Sequence, residues 1–208
     1  MKTIIAVCLA CTATLPLSAG AADEAEILEL LDSRFSQTVE ISSSLWEFAE
    51  LGYQETASSG LLQTTLAAEG FRIEAGVAGI PTAFVASYGT PGPVIGILAE
   101  YDALPGITQD SVAARSPIED KGAGHACGHN LFAAGSVGAA IAIRHWLEDN
   151  DVPGTVRVYG TPAEEGGSGK VYMVRAGLFD DADFVLHWHP ADRNSAEAYT
   201  TLANRSAR

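Results

Sequence analysis

The spacing of apolar residues predicts alternating helices and strands along the chain. Apolar positions recur every three or four residues over 24–51, which predicts one helix ended by Gly52, and a second helix is predicted over 58–69. After Gly70 the period shortens to that of strands. We predict, in order, strands over 71–74, 82–88 and 93–99, a long loop over 103–124, a helix over 130–149, a strand over 155–160, a helix over 168–176 and a strand over 183–188.

This order of elements predicts the fold class. Strands that alternate with helices form right-handed crossovers and a largely parallel sheet. The helix predicted over 130–149 is apolar nearly all round until Arg144, so we expect it to be buried against that sheet. The sequence therefore predicts an α/β fold, a three-layer sandwich with a largely parallel central sheet.

The first residues have the pattern of a secretory signal peptide. Lys2 precedes an apolar stretch over 4–17, and small residues follow at 19–21, as at a cleavage site. The apolar stretch is too short for an ordinary transmembrane helix. We therefore expect residues 1–21 to be removed and the protein to be secreted or periplasmic. A buried first helix, or a lipoprotein signal ending at Cys11, is the alternative.

The acidic composition limits the partners of the protein. The chain has 26 Asp and Glu against 12 Lys and Arg, a formal net charge of −14, and cleavage after Ala21 would remove a further positive charge with Lys2. A surface of this charge repels nucleic acid and anionic membranes, so we expect neither as a partner.

The segment 124–130 carries the strongest chemical signal. Removal of the signal peptide would leave Cys127 as the last cysteine, which either a metal bond or burial as a small apolar residue explains. Cys127 and His129 are one residue apart, and in an extended chain both side chains point the same way, toward one metal ion. The position before a helix also favours the thiolate. Thiolate and imidazole together favour zinc over magnesium or calcium.

Further residues of metal-binding type follow the ends of three predicted strands, where parallel sheets bind ligands. Glu164 and Glu165 are adjacent, so one can bind a metal while the other takes a proton from water, unless they only cap a helix. Of His187 and His189, we expect one to be structural. Asp102 can hydrogen-bond a ligating imidazole or cap a turn.

These segments together resemble a known family. The matching stretches are 100–106, 124–130, 160–170, 188–190 and 201–204. Over roughly residues 25–204, the chain is similar to the metal-dependent aminoacylases and carboxypeptidases. That family includes carboxypeptidase G, the indole-acetyl-amino-acid hydrolases and the p-aminobenzoyl-glutamate hydrolases, and the chain is most similar to the last of these. The resemblance implies cleavage of the amide bond of N-acyl or aroyl amino acids or small dipeptides.

The resemblance also implies a role for each residue of the cluster. Two divalent metal ions, zinc first and manganese as the alternative, would be bound by Cys127, His129, Glu165 and His189. Glu164 would be the general base that removes a proton from the attacking water and returns it to the leaving amine. Asp102 would support a ligating histidine. Glu100 stands where carboxypeptidase G has a histidine, and His187 has no matching ligand role.

Members of that family are about twice as long as this chain. In them an inserted lid and dimerisation domain precedes a return to the catalytic domain, which supplies another metal-binding histidine. We therefore expect residues 22–195 to be the N-terminal part of a catalytic domain and 196–208 to begin a lid domain. The longer protein would be a homodimer or heterodimer, and the chain alone would show weak or no catalysis.

Two other functions use the same residues. In a thiol hydrolase Cys127 would be the nucleophile, with His125 or His129 as its base. That hypothesis leaves the glutamate pair and His189 without a role. A non-catalytic metal-binding module is the third hypothesis, and it predicts metal uptake without hydrolysis.

Overall fold

The computed structural model describes residues 21–195. Its helices are α1 (Ala21–Ser33), α2 (Phe35–Phe48), α3 (Thr56–Ala68), α4 (His129–Asp149) and α5 (Gly169–Arg175). Its strands are β1 (Arg72–Ala75), β2 (Phe84–Gly89), β3 (Val94–Ala99), β4 (Leu104–Pro105), β5 (Ala123–Gly124), β6 (Thr155–Gly160) and β7 (Phe184–Leu186). The predicted signal peptide, apart from Ala21, and the predicted start of a lid domain at 196–208 lie outside the described residues. Within 21–195, every helix is too short or too polar to cross a membrane.

The central sheet has five strands in the order β1-β2-β6-β3-β7. Strands β6, β3 and β7 are parallel, whereas β2 runs antiparallel to both β1 and β6. The α/β prediction is therefore confirmed, but the sheet is mixed rather than largely parallel. The two strands predicted on either side of the turn at 89–92 do not pair, because β6 lies between them. Thr90 donates a hydrogen bond to the backbone oxygen of Gly154 at 2.9 Å, which ties that turn to the start of β6.

Strand side chains alternate between two apolar layers, one on each face of the sheet. Val156 and Val158 of β6 belong to the layer that contains Leu62 of α3 and residues of α2 and α4. Tyr159, between them and the strand end, belongs to the other layer with Met173 of α5. Both layers are buried, so the predicted three-layer arrangement is confirmed.

The single helix predicted over 24–51 is two helices in the structure. They are separated at Arg34, whose φ of −101° and ψ of 4° are not helical. The Arg34 guanidinium donates hydrogen bonds to both carboxylate oxygens of Glu69, at 2.7 and 3.2 Å. A contact with a distant segment thus accompanies the break, and the apolar spacing along 24–51 contains no sign of it.

Gly160, at the end of β6, has no room for a side chain. A Cβ at this position would overlap the Phe84 ring on the neighbouring strand. We expect Gly160→Ala to lower the free energy of unfolding by about 1–3 kcal/mol, because the ring or the strand must move. Urea unfolding measures this change.

The matched control is Gly60, on the exposed side of α3, where an added Cβ meets nothing within 4 Å. Gly60→Ala should raise the free energy of unfolding by about 0.5–1 kcal/mol, since alanine favours the helix. Unchanged stability of Gly160→Ala would contradict the tight packing at the end of β6.

Candidate metal centre and active site

The candidate site lies at the carboxyl edge of the parallel strands. The residues that follow β3, β6 and β7 there are Glu100, Asp102, Glu164, Glu165, His187 and His189. The sheet register pairs Ala99 with Gly160, so β3 and β6 end at the same level. Cys127 and His129 come from the turn into α4, where Gly128 has a φ of 84°. The structure thus brings the predicted residues together, although their roles stay predictions.

His129 is at the centre of the site and is completely buried. Its Nδ1–H donates hydrogen bonds to the backbone oxygen and to Oδ1 of Asp102, both at 3.0 Å. On the other side of the ring, Nε2 lies 3.0 Å from Glu100 Oε2 and 4.0 Å from Glu164 Oε2. Burial alone lowers the pKa of His129, but the bonds to Asp102 and the contact with Glu100 outweigh burial and raise the pKa to about 10.

Cys127 lies at the edge of the site and is partly buried. Its Sγ is 3.5 Å from Nε2 of His189. Burial, followed by the neighbouring Glu165 carboxylate, raises the pKa of the Cys127 thiol to about 12. The prediction that the start of the helix would favour a thiolate is therefore wrong for the protein chain by itself. The nearby carboxylates outweigh the partial positive charge of the helix N-terminus.

The two adjacent glutamates have different surroundings. The Glu164 side chain is 43% exposed, so a substrate can reach it. Glu165 is partly buried, and its amide donates a hydrogen bond to Asp102 Oδ2 at 2.8 Å. Its Oε1 is buried and has no hydrogen-bond partner among residues 21–195. The exposed carboxylate is suited to meet a substrate, and the buried one is placed beside the ligand-type atoms of Cys127.

Glu100 makes more contacts than the sequence predicted. This buried carboxylate accepts a hydrogen bond from Lys170 Nζ, and its Oε1 lies 3.5 Å from His187 Nε2. Burial raises the pKa of Glu100, but the contacts with His129, His187 and Lys170 outweigh burial and hold the pKa well below its usual range. Sequence reasoning did not assign Lys170 to the site. The signal that was available is its place as the first cation after the glutamate pair, in the first turn of α5.

The side chains present fit a site for divalent metal ions. Two groups of ligand-type atoms each lie within 4.8 Å, and they share His129: Cys127, His129 and His189, and Glu100, His129 and Glu164. Thiol, imidazole and carboxylate together suit zinc and similar ions. Two buried atoms lack an aligned hydrogen bond within 21–195, namely His129 Nε2 and Glu165 Oε1, and a bound cation would satisfy both.

Comparison with known proteins identifies the family. Residues 96–201, about half of the chain, match peptidase family M20/M25/M40. This chain is a member of that family. Its resemblance to metal-dependent aminoacylases and carboxypeptidases is thereby confirmed, and the M20 catalytic domain accounts for the α/β fold.

Individual relatives of this M20 chain are considerably longer than it is. One of the two kinds of chain in the p-aminobenzoyl-glutamate hydrolase of Escherichia coli K12 is 44% identical over 169 residues, which are 81% of this chain and 35% of the relative. The Xaa-Arg dipeptidase of Mus musculus is 35% identical over 201 residues, which are 87% and 43%. A dinuclear metal-binding M20 peptidase from Bacillus subtilis has a similar structure, with a TM-score of 0.63 and 27% identity over 74% of this chain and 42% of that one. The chain thus spans 35–43% of the length of these three proteins.

The M20 site does not favour the thiol-hydrolase hypothesis. The histidine within hydrogen-bonding distance of the Cys127 sulfur is His189, which that hypothesis leaves without a role. His125 is buried, and its Nε2–H donates to the backbone oxygen of Leu45 at 3.0 Å. A nucleophilic cysteine needs a lowered pKa or an adjacent base, and the raised pKa of Cys127 is the opposite of the first.

Proposed function

We propose that this protein is a metal-dependent amidohydrolase that cleaves the amide bond of N-acyl or aroyl amino acids or of small dipeptides. The observation that carries the proposal is the pair of ligand groups that share His129, with the exposed Glu164 carboxylate beside them. The names of two relatives describe a hydrolase of p-aminobenzoyl-glutamate and a dipeptidase. Both kinds of substrate contain an amide bond to an amino acid, which supports this substrate class.

In the proposed site, two divalent ions would be held by Cys127, His129, Glu165 and His189, with zinc as the first candidate and manganese as the second. When bound, such ions polarise a carbonyl oxygen and favour the loss of a proton from water at neutral pH. Asp102 holds the proton of His129 on Nδ1, which keeps the lone pair of Nε2 available to a cation.

Glu164 carries the proton in the proposed reaction. Its carboxylate takes a proton from water while the water oxygen bonds to the carbonyl carbon of the substrate. It then delivers this proton to the amide nitrogen as the C–N bond breaks, so the products are a carboxylate and an amine. The partial exposure of Glu164 allows contact with both the water and the leaving nitrogen.

Metal removal tests the proposal. We expect the chain, loaded with Zn²⁺ or Mn²⁺, to hydrolyse p-aminobenzoyl-glutamate, N-acyl amino acids or dipeptides slowly, since it spans less than half of its relatives. Treatment with a chelator should reduce hydrolysis to background, and added metal should restore it, as measured by release of the free amine. Activity that survives complete metal removal would contradict the proposal. Metal uptake without hydrolysis of any of these substrates would support the non-catalytic metal-binding module instead.

A further inference from the structure

A buried glutamate outside the predicted ligand set holds the turn that carries Glu164 and Glu165. Glu55, at the start of α3, is completely buried. Its Oε1 accepts a hydrogen bond from the backbone N–H of Ala163 at 2.8 Å, and its Oε2 accepts one from the Thr82 hydroxyl at 2.9 Å. One carboxylate thus connects three segments that are far apart in the sequence.

The backbone of this turn needs such support. Ala163 has a φ of 57°, in the left-handed region that residues other than glycine rarely adopt. The amide on the other side of Glu164, that of Glu165, is held by Asp102 Oδ2 at 2.8 Å. The two amides that flank Glu164 are therefore each bound to a buried carboxylate, one from Glu55 and one from Asp102.

Other residues near Glu55 pack against the same turn. A Cβ added at Gly52 would lie 2.9 Å from Ala163 Cα, so the two backbones are in close contact. The Tyr53 hydroxyl donates a hydrogen bond to the backbone oxygen of Gly167 at 2.5 Å. The segment from Gly52 to Glu55 therefore contacts the turn at several points, and Glu55 is its member that binds the strained residue with a buried charged group.

We propose that Glu55 is a positioning residue for Glu164. By holding the amide of Ala163 while Asp102 holds that of Glu165, it sets the direction in which the Glu164 side chain leaves the backbone. This inference rests on the base role proposed for Glu164. The two partners of the Glu55 carboxylate are the Ala163 amide and the Thr82 hydroxyl, so it acts through the turn and not on the substrate.

Three variants separate positioning from a purely structural effect. Glu55→Leu removes both hydrogen bonds, whereas Glu55→Gln keeps an amide oxygen that can accept from Ala163. Glu50→Leu is the matched control, because Glu50 is also partly buried and its Oε2 accepts from the amide and hydroxyl of Ser58, at 2.8 and 2.7 Å. Glu50 therefore supports the start of α3, and its carboxylate contacts lie outside the turn at 161–167.

At saturating metal, we expect Glu55→Leu to lower kcat about 10- to 100-fold, as is typical when a residue that orients a site is removed. KM should change little, since Glu55 does not touch the substrate. Glu55→Gln and Glu50→Leu should both stay within about threefold of the native kcat, well below the loss that removal of an orienting residue causes. If Glu55→Leu does not fold, Glu55→Asp replaces it, because its shorter side chain cannot reach Ala163, and the same loss is expected.

Amide hydrogen exchange, followed by NMR, tests the same contact without metal or substrate. The Ala163 and Glu165 amides should exchange at least about tenfold faster in Glu55→Leu than in the native chain and in Glu50→Leu, because the turn opens more easily. Equal exchange in Glu55→Leu and the native chain would overturn the positioning role. So would equal losses of kcat in Glu55→Leu and Glu50→Leu, or in Glu55→Leu and Glu55→Gln. A native protein without hydrolysis would refute the proposed function, and the exchange rates would still decide the role of Glu55.

Discussion

The Glu164→Gln variant is expected to keep its metal and to lose about 10²- to 10⁴-fold in kcat for amide hydrolysis. Glutamine preserves the size and most contacts of the side chain, but it cannot accept a proton from water. The Glu164 carboxylate is partly exposed and lies 4.0 Å from Nε2 of His129, so it is close to the site without being enclosed by it. Metal content measured by mass spectrometry and hydrolysis measured by amine release together test this expectation.

Two comparisons make the Glu164 result specific. Glu119→Gln changes an exposed glutamate of the long loop and should leave both kcat and metal content unchanged. Glu165→Gln should instead lower metal content, since the Glu165 carboxylate is partly buried beside Cys127. Near-normal turnover of Glu164→Gln would show that another group takes the proton. Equal loss of metal in both variants of the pair would contradict the division of roles between them.

The Asp102→Asn variant is expected to weaken metal binding about 10- to 100-fold. Asp102 is buried, and its two oxygens accept from different donors, the Nδ1–H of His129 and the amide of Glu165. Asparagine has only one side-chain oxygen, so one of these donors would face an NH₂ group. A buried donor without an acceptor costs about 1–3 kcal/mol, so the free energy of unfolding should also fall. Competition with a chromophoric chelator measures the metal affinity, and urea unfolding measures the stability.

The control for Asp102 is Asp120→Asn, which makes the same change at an exposed position of the long loop. We expect it to bind metal with native affinity and to unfold at the native urea concentration. A metal affinity of Asp102→Asn within about twofold of native would mean that Asp102 does not orient His129, because removal of such an orienting group normally has a much larger effect.

Much of the site could be predicted from the sequence because chemistry and strand ends coincide along the chain. Asp102, Glu164 and His189 each follow a strand, and parallel strands end at a common edge, so their convergence needed only the order of the elements. The spacing of Cys127 and His129 then indicated a metal ligand pair. Family membership supports this interpretation, and the variants above test the individual roles.

Other features could not be predicted, because they depend on contacts between distant segments. The break at Arg34 accompanies an ion pair with Glu69, 35 residues away. The insertion of β6 between β2 and β3 is a choice of strand neighbours, which the apolar pattern of each strand leaves open. The raised pKa of Cys127 results from burial and carboxylates carried by other loops.

The sequence by itself determined the α/β class, the residue types of the site and the sheet edge at which they meet, because these depend on local periodicity and on the direction of strands. Only the tertiary structure decided how those residues are held. Glu55 reaches Ala163 across 108 residues, and Lys170 reaches Glu100 across 70. Such contacts form when separate segments pack together, and a carboxylate that binds a backbone amide leaves no pattern in the residues on either side of it.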